Sequence, residues 1–381
     1  MTLRLRPRTE INSVAALEEY LRSRGDLSRA LLEGIDLTGA DVDWAALDVA
    51  GAVFVGCRFP SAELALDLQE REAVVVPALV DEARAYSTYP PGLYTYEELR
   101  EIDARVESGV HGPGGGPVPD DPLEAIAQRL HDTAMNDATL ELVERWDGRV
   151  VGIMGGHRVR RSEPDYAKVV RLAHRLTSRG NLVVTGGGPG VMEAGNLGAY
   201  LTRAPDGEAA IEQAIATLRE AENFHEGLEA YESAAEEVHA RYADRDGGVS
   251  LAIPTWHYPQ EPVGRFASHI AKYFANSIRE DGLLQIADAG VVFARGGAGT
   301  MQEVFQSAAI NAYATPEGQA PMVFLGTAAF GAETGVFETL RRAAAAETTR
   351  TKYEHLLLCT DDIDEALRFI ETPPPRPPRS G

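Results

Sequence analysis

The chain is 381 residues long, 44% hydrophobic and 25% charged, with a formal net charge of −22, the profile of a soluble globular protein of one large or two ordinary domains. That charge excludes nonspecific binding to DNA or RNA, which needs a basic surface, and no apolar run approaches the roughly 18 residues of a membrane span. Cys57 and Cys359 are the only cysteines, so neither a disulfide framework nor a metal cluster is expected, and the expected compartment is a reducing cytoplasm.

In chain order, residues 11–30 place Val14, Leu17, Tyr20 and Leu21 on one face and predict a short helix. From Ile35 to Phe59 a small or aliphatic residue stands two places before an apolar centre every five residues. This period resembles the pentapeptide-repeat family, whose repeats wind into a square β-solenoid. The run covers little more than one turn, so it is expected to pack on another part of the protein. Residues 62–110 read as mostly helical, interrupted at Tyr89-Pro90-Pro91-Gly92. His111-Gly112-Pro113-Gly114-Gly115-Gly116-Pro117 reads as a linker, because its glycines have no strand before them and no helix start after them. Asp121-Pro122 opens a helical stretch to about Trp146, with Leu123, Ile126, Leu130 and Met135 as core candidates.

From Arg149 strands and helices alternate. Val150 to Met154 is a buried-type strand ending in Gly155-Gly156-His157-Arg158, followed by a helix from about Pro164 to Ser178. Leu182 to Thr185 runs into Gly186-Gly187-Gly188-Pro189-Gly190-Val191-Met192-Glu193, a glycine turn opening a helix. Residues 207–242 read as a long acidic helical insertion, Val249 to Ile253 as a strand, and Val263 to Ile286 as one long helix carrying Arg279. Ala289 to Phe293 is the next strand, leading into Gly296-Gly297-Ala298-Gly299-Thr300-Met301-Gln302-Glu303 and a helix. Strand 322–325, a helix around 334–346, strand 355–359 and helix 362–370 complete the pattern. The expected division is 1–72 (helix plus short repeat), 73–147 (mainly helical, linker at 111–120), 148–371 (alternating α/β) and a disordered proline-rich tail at 372–381. Such alternation implies a parallel sheet with helices on both faces and ligands at the carboxyl ends of its strands, where all three glycine turns fall.

A glycine turn between a strand and a helix gathers backbone N–H groups at a helix N-terminus, a site for phosphate or another anion. In so acidic a chain a phosphorylated ligand depends on such N-termini and on local arginines. The turn at 296–300 lets the backbone approach a ligand closely, and Thr300 either caps the helix or offers its hydroxyl. Glu303 is open to two readings, a capping-box partner of Thr300 or a catalytic or ribose-binding carboxylate. Glu193 reads either as a second pocket acid or as a capping residue, His157 as a ligand contact or a structural histidine, and Arg279 as a bidentate anion ligand or an ion-pair partner. Neither turn is a Walker A loop, and the first lacks the dinucleotide fingerprint.

Two such turns, each leading to a Glu on the new helix, together with Arg279, make the region from Arg149 to about Ile370 resemble the LOG family, first known from plant cytokinin-activating enzymes. The residues that carry the resemblance are Arg295-Gly296-Gly297-Ala298-Gly299-Thr300-Met301-Gln302-Glu303, Gly186-Gly187-Gly188 through Met192, and Arg279-Glu280 before Ala287-Asp288-Ala289. The resemblance implies a Rossmann-like, doubly wound α/β fold and a nucleotide 5'-monophosphate phosphoribohydrolase acting on an AMP-like nucleoside monophosphate. It implies that Arg279 and Glu303 are the catalytic pair and that Gly296, Gly297, Ala298, Gly299 and Thr300 hold the phosphate. Gly155, Gly156, His157, Gly186, Gly187, Gly188, Met192 and Glu193 complete the expected nucleotide site. No cofactor, metal, nucleic acid or membrane partner is implied, and a homodimer or higher homo-oligomer is. This chain differs from the family pattern in three ways: Arg295 replaces a proline, Glu280 replaces a lysine, and the Arg-to-Glu interval is one residue longer. The rival reading is a nucleotide or cofactor carrier or sensor on the same fold, without turnover.

Overall fold

The computed structural model of the protein describes residues 9–28, 30–76, 84–90, 92–107, 122–146, 149–245, 248–257, 261–346 and 351–375. The expected linker at 111–117 lies outside the described residues, as do residues 376–381 of the expected tail. Internal contacts divide the chain into two compact units, one of residues 1–93 and 100–141, the other of 94–99 and 142–381.

The first unit begins with β1 (Thr9–Ile11), α1 (Val14–Arg24), β2 (Ala30–Glu33), β3 (Val53–Val55), α2 (Ala62–Glu70) and β4 (Val74–Val76). Its four strands pair in parallel and in sequence order, Thr9 beside Ala30, Leu31 beside Val53, and Val53 beside Val74. Each strand therefore lies one coil on from the last, as in a short solenoid. Backbone bonds such as Leu27 N–H to Asp48 O, Gly34 N–H to Val55 O and Gly51 N–H to Glu72 O tie the coils together. At the corners Asp26, Asp36 and Asp48 accept from the amides of Ser28, Thr38 and Ala50 two residues on, the local turn that aspartate favours. The centre is filled by Leu17, Leu32, Phe54 and Trp44, the last two edge-on at 6.2 Å.

Next come α3 (Tyr96–Glu107) and α4 (Pro122–Glu144). The face of α4 differs from the sequence expectation. Met135 is buried, but Leu123 and Ile126 are exposed, and Glu124 turns inward instead. Its carboxylate accepts from Arg84 Nε at 2.7 Å and Tyr86 Oη at 2.6 Å, so a satisfied ionic group takes the place of two aliphatic ones.

The second unit is a mixed α/β, Rossmann-like doubly wound fold. It comprises β5 (Val150–Met154), α5 (Pro164–Ser178), β6 (Leu182–Thr185), α6 (Val191–Tyr200), α7 (Gly207–Leu218), α8 (Leu228–Ala240), β7 (Ser250–Ala252) and β8 (His269–Ile270). It continues with α9 (Asn276–Ile286), β9 (Gly290–Ala294), α10 (Ala298–Tyr313), β10 (Met322–Leu325), α11 (Val336–Ala345), β11 (Leu357–Thr360) and α12 (Ile363–Glu371). The seven strands are parallel in the order β11-β10-β9-β5-β6-β7-β8. All residues of β5, β6, β9 and β10 are buried, which requires helices on both faces. Helices α5, α6 and α12 pack together on one face, and α9, α10 and α11 on the other. From β5 the chain winds outward through β6 and β7, then returns to lay β9 on the opposite side of β5. The strand order reverses there, and the crevice at that reversal is where such sheets bind ligands.

Two sequence expectations need correction. The long helix expected over 263–286 is an edge strand, β8, followed by α9 beginning only at Asn276. The spacing of Phe266, Ile270, Tyr273 and Phe274 suits a helix, but Leu251 and Ala252 of β7 pair with His269 and Ile270, and Tyr94 bridges to Ile270 from the other side. Sheet pairing overrides the helical period here. The acidic insertion at 207–242 is two helices, α7 and α8, broken at 219–227.

Candidate functional site

The reversal of strand order opens into a cavity of about 830 Å³ lined by the loops after β5, β6, β7 and β9 and by the facing ends of α9 and α10. The loops after β5 and β9 touch: Gly156 N–H donates to the carbonyl of Arg295 at 3.0 Å, and a methyl on Gly156 would stand 3.0 Å from Gly296 Cα. Gly186 permits another close approach, since a side chain there would meet Arg279 Nη1 at 3.1 Å and Met192 Sδ at 2.7 Å.

Helix α10 begins directly after its N-cap, Gly297, which has no side chain to cap it. Its first-turn amides therefore lack side-chain acceptors and open onto the cavity through Ala298 and Gly299. Thr300 is neither N-cap nor capping-box partner. It sits three residues into the helix, buried against Gly296, where an added methyl would overlap its Oγ1. The capping reading of Glu303 therefore falls. Built side chains on Gly297 or Gly299 meet nothing within 4 Å, so both glycines keep open space next to a sixteen-residue helix N-terminus, a favourable place for an anion.

Glu303 lines the same cavity one turn further along α10. Burial, opposed by Arg279 and reinforced by Glu280, leaves its carboxyl raised to about 7. Arg279 is almost fully buried, donating from Nε to Asn276 Oδ1 at 3.1 Å and lying 3.5 Å from Glu280. Arg295 turns its guanidinium to Glu163 and Asp165 at the start of α5, so its side chain is held by carboxylates while its carbonyl fixes the β5 loop.

Of the sequence-derived candidates, Gly155, Gly156, His157, Gly186, Gly187, Gly188, Met192, Arg279, Gly296, Gly297, Ala298, Gly299, Thr300 and Glu303 all line this cavity. Glu193 does not, which corrects its reading as a pocket acid. It is buried behind α6, where Arg161 grips it through Nε at 2.9 Å and Nη2 at 2.5 Å, and Tyr166 and Tyr231 donate to it at 2.8 and 2.9 Å. The sequence reading missed Thr255 and Glu261, which also line the cavity. Thr255 stands at the carboxyl end of β7, a position that could have flagged it. Glu261 lies in the connection to β8, where nothing local marks it, and pairs with His157 at 3.1 Å.

No family model matches the chain. No curated protein matches it either. Among solved structures, it is similar to the X-ray structure of TM1055, a Northeast Structural Genomics Consortium target, at 17% identity over 58% of this chain and 98% of that one, with a TM-score of 0.35. No helix among the described residues is long and apolar enough to cross a membrane.

Proposed function

We propose that this cavity hydrolyses the N-glycosidic bond of a nucleoside 5'-monophosphate to free base and ribose 5-phosphate, as the LOG-like motifs imply. The observation that carries the reading is Glu303, a carboxyl held near neutrality beside a buried arginine, in the same cavity as an uncapped helix N-terminus. A phosphate seated on α10 is stabilised by oriented amides, and Arg279 adds a positive charge that the acidic chain does not supply globally. The bond breaks through an oxocarbenium-like state, and a carboxyl within reach can shuttle a proton between water and the leaving base. A pure phosphate binder would gain by losing that carboxyl.

The assay is a panel of AMP, GMP, IMP, CMP, UMP and an N6-substituted AMP, with base and ribose 5-phosphate quantified beside Glu303→Ala. Release that disappears in the variant is the expected result. Tight binding of a nucleotide without release would overturn the hydrolase and leave a nucleotide carrier or sensor. We also propose a homodimer through α10, on which Phe305 and Tyr313 are 50% and 82% exposed.

A further inference from the structure

Glu280 follows Arg279 on α9, is almost fully buried, and lines the cavity. Its Oε1 accepts from Asn276 Nδ2 at 2.7 Å and faces Arg279 Nη2 at 3.5 Å, and its Oε2 accepts from Gln302 Nε2 at 2.5 Å. Three donors on two helices thus hold both oxygens as acceptors. Gln302 immediately precedes Glu303 on α10. Among the described residues no group donates to the Glu303 carboxyl, although it looks into the same cavity.

Of the other charged residues that line the cavity, Arg158 makes no ion pair among the described residues, and the rest are committed. His157 pairs with Glu261, Arg295 pairs with Glu163 and Asp165, and Asp281 accepts from Gln306. On α11, Glu338 is paired with Arg341 and Arg342. The charges that act on Glu303 are those of Arg279 and Glu280. Two carboxyls thus share one arginine, and only one of them has hydrogen-bond donors. Like charges in such a site cannot both ionise cheaply, so the proton stays on the carboxyl without donors.

We propose that Glu280 is a positioning residue that, clamped as an anion by Asn276, Arg279 and Gln302, keeps a proton on Glu303 for delivery to the leaving base. The proton-transfer role rests on the hydrolase reading; the proton's location does not. In the step, the C1'–N bond breaks and its electron pair goes to the base nitrogen, which takes the Glu303 proton. A water oxygen bonds to C1', and the proton that water loses returns to the Glu303 carboxylate, so the enzyme ends as it began. A lysine at position 280 would hold Glu303 ionised, and the cavity would then favour a base catalyst over an acid one.

The test is a titration of the full-length chain by infrared difference spectroscopy, following the carbonyl band of a protonated carboxyl that is absent in Glu303→Gln. In Glu280→Gln the half-titration point of that band is expected to fall by about one pH unit, a tenfold change in proton affinity. Glu280→Asp keeps the charge and the wild-type response. Glu280→Ala is expected to give the same downward shift and serves if the amide is not tolerated. An unmoved midpoint in the charge-removing variants, or no Glu303-dependent band at pH 6, overturns the proposal. The basic limb of the pH–rate profile should coincide with the infrared midpoint in the wild type and fall with it in Glu280→Gln. If no nucleotide is turned over, the hydrolase reading fails while the infrared result still decides where the proton resides.

Discussion

Replacing Glu303 by glutamine should stabilise the protein by an amount that grows as pH rises from 4.5 to about 7 and is constant above that. An unfolded glutamate titrates near its ordinary 4.5, whereas the folded cavity holds this one at about 7. A folded pKa above the unfolded one means that the contribution to stability is fully present below pH 4.5 and is lost as pH rises through 7. The full interval corresponds to about 3 kcal/mol. Because the carboxyl faces a cavity open to water, roughly 1–2 kcal/mol is the realistic size. Glutamine is close in shape to the protonated acid, so across this range the two proteins should differ least at pH 5. By pH 8–9 the variant's second unit should melt higher by about 2–8 °C. Calorimetric scans of both proteins from pH 5 to 9, with ligand absent, give the comparison. A gap that is constant across that range, or one that favours the wild type at high pH, would refute the argument, because neither follows from burying an ionisable group without donors.

Three further outcomes follow from the geometry. Glu193→Ala should cost about 3–5 kcal/mol in a denaturant titration, because it leaves the Arg161 guanidinium buried without its partner; loss of turnover at unchanged stability would instead return Glu193 to the site. Gly299→Ala adds a methyl that meets nothing within 4 Å but narrows the space beside the helix N-terminus, so inorganic phosphate and AMP should bind about tenfold more weakly by calorimetry, while Gly296→Ala, which collides with Thr300, should lower the melting temperature. Phe305→Asp with Tyr313→Asp should yield a monomer in sedimentation with an intact far-ultraviolet spectrum, and an unchanged mass distribution would remove α10 from the proposed interface.

What could be read before folding depended on how local the cause was. The glycine turns were legible because a strand, a turn and a helix start are adjacent in sequence, and the order β5-α5-β6-α6 alone implies a parallel sheet. The edge strand at His269–Ile270 was not, because its partners Leu251, Ala252 and Tyr94 are supplied from elsewhere in the chain. The inward face of α4 was hidden for a similar reason: Glu124 is buried only because Arg84 and Tyr86 come to it. Glu261 reached the cavity through a connection with no periodicity, so no pattern announced it.

The two glutamates that follow glycine turns show how far motif reasoning extends. In α6 the N-cap is Gly190, which puts Met192 second in the helix and Glu193 third. In α10 the N-cap is Gly297, which puts Gly299 second and Glu303 sixth. Positions two and six lie four residues apart on one face of an α-helix, and Met192, Gly299 and Glu303 all line the cavity. Position three is rotated about 100° from position two; in α6 it carries Glu193 into the space between α5 and α8, where Arg161 waits, whereas in α10 the shorter Thr300 at that position still borders the cavity. The sequence shows the same turn followed by an acid in both places. Counting from the N-cap separates them, and the N-cap of α10 becomes certain only when Thr300 is seen packed against Gly296 rather than capping the helix.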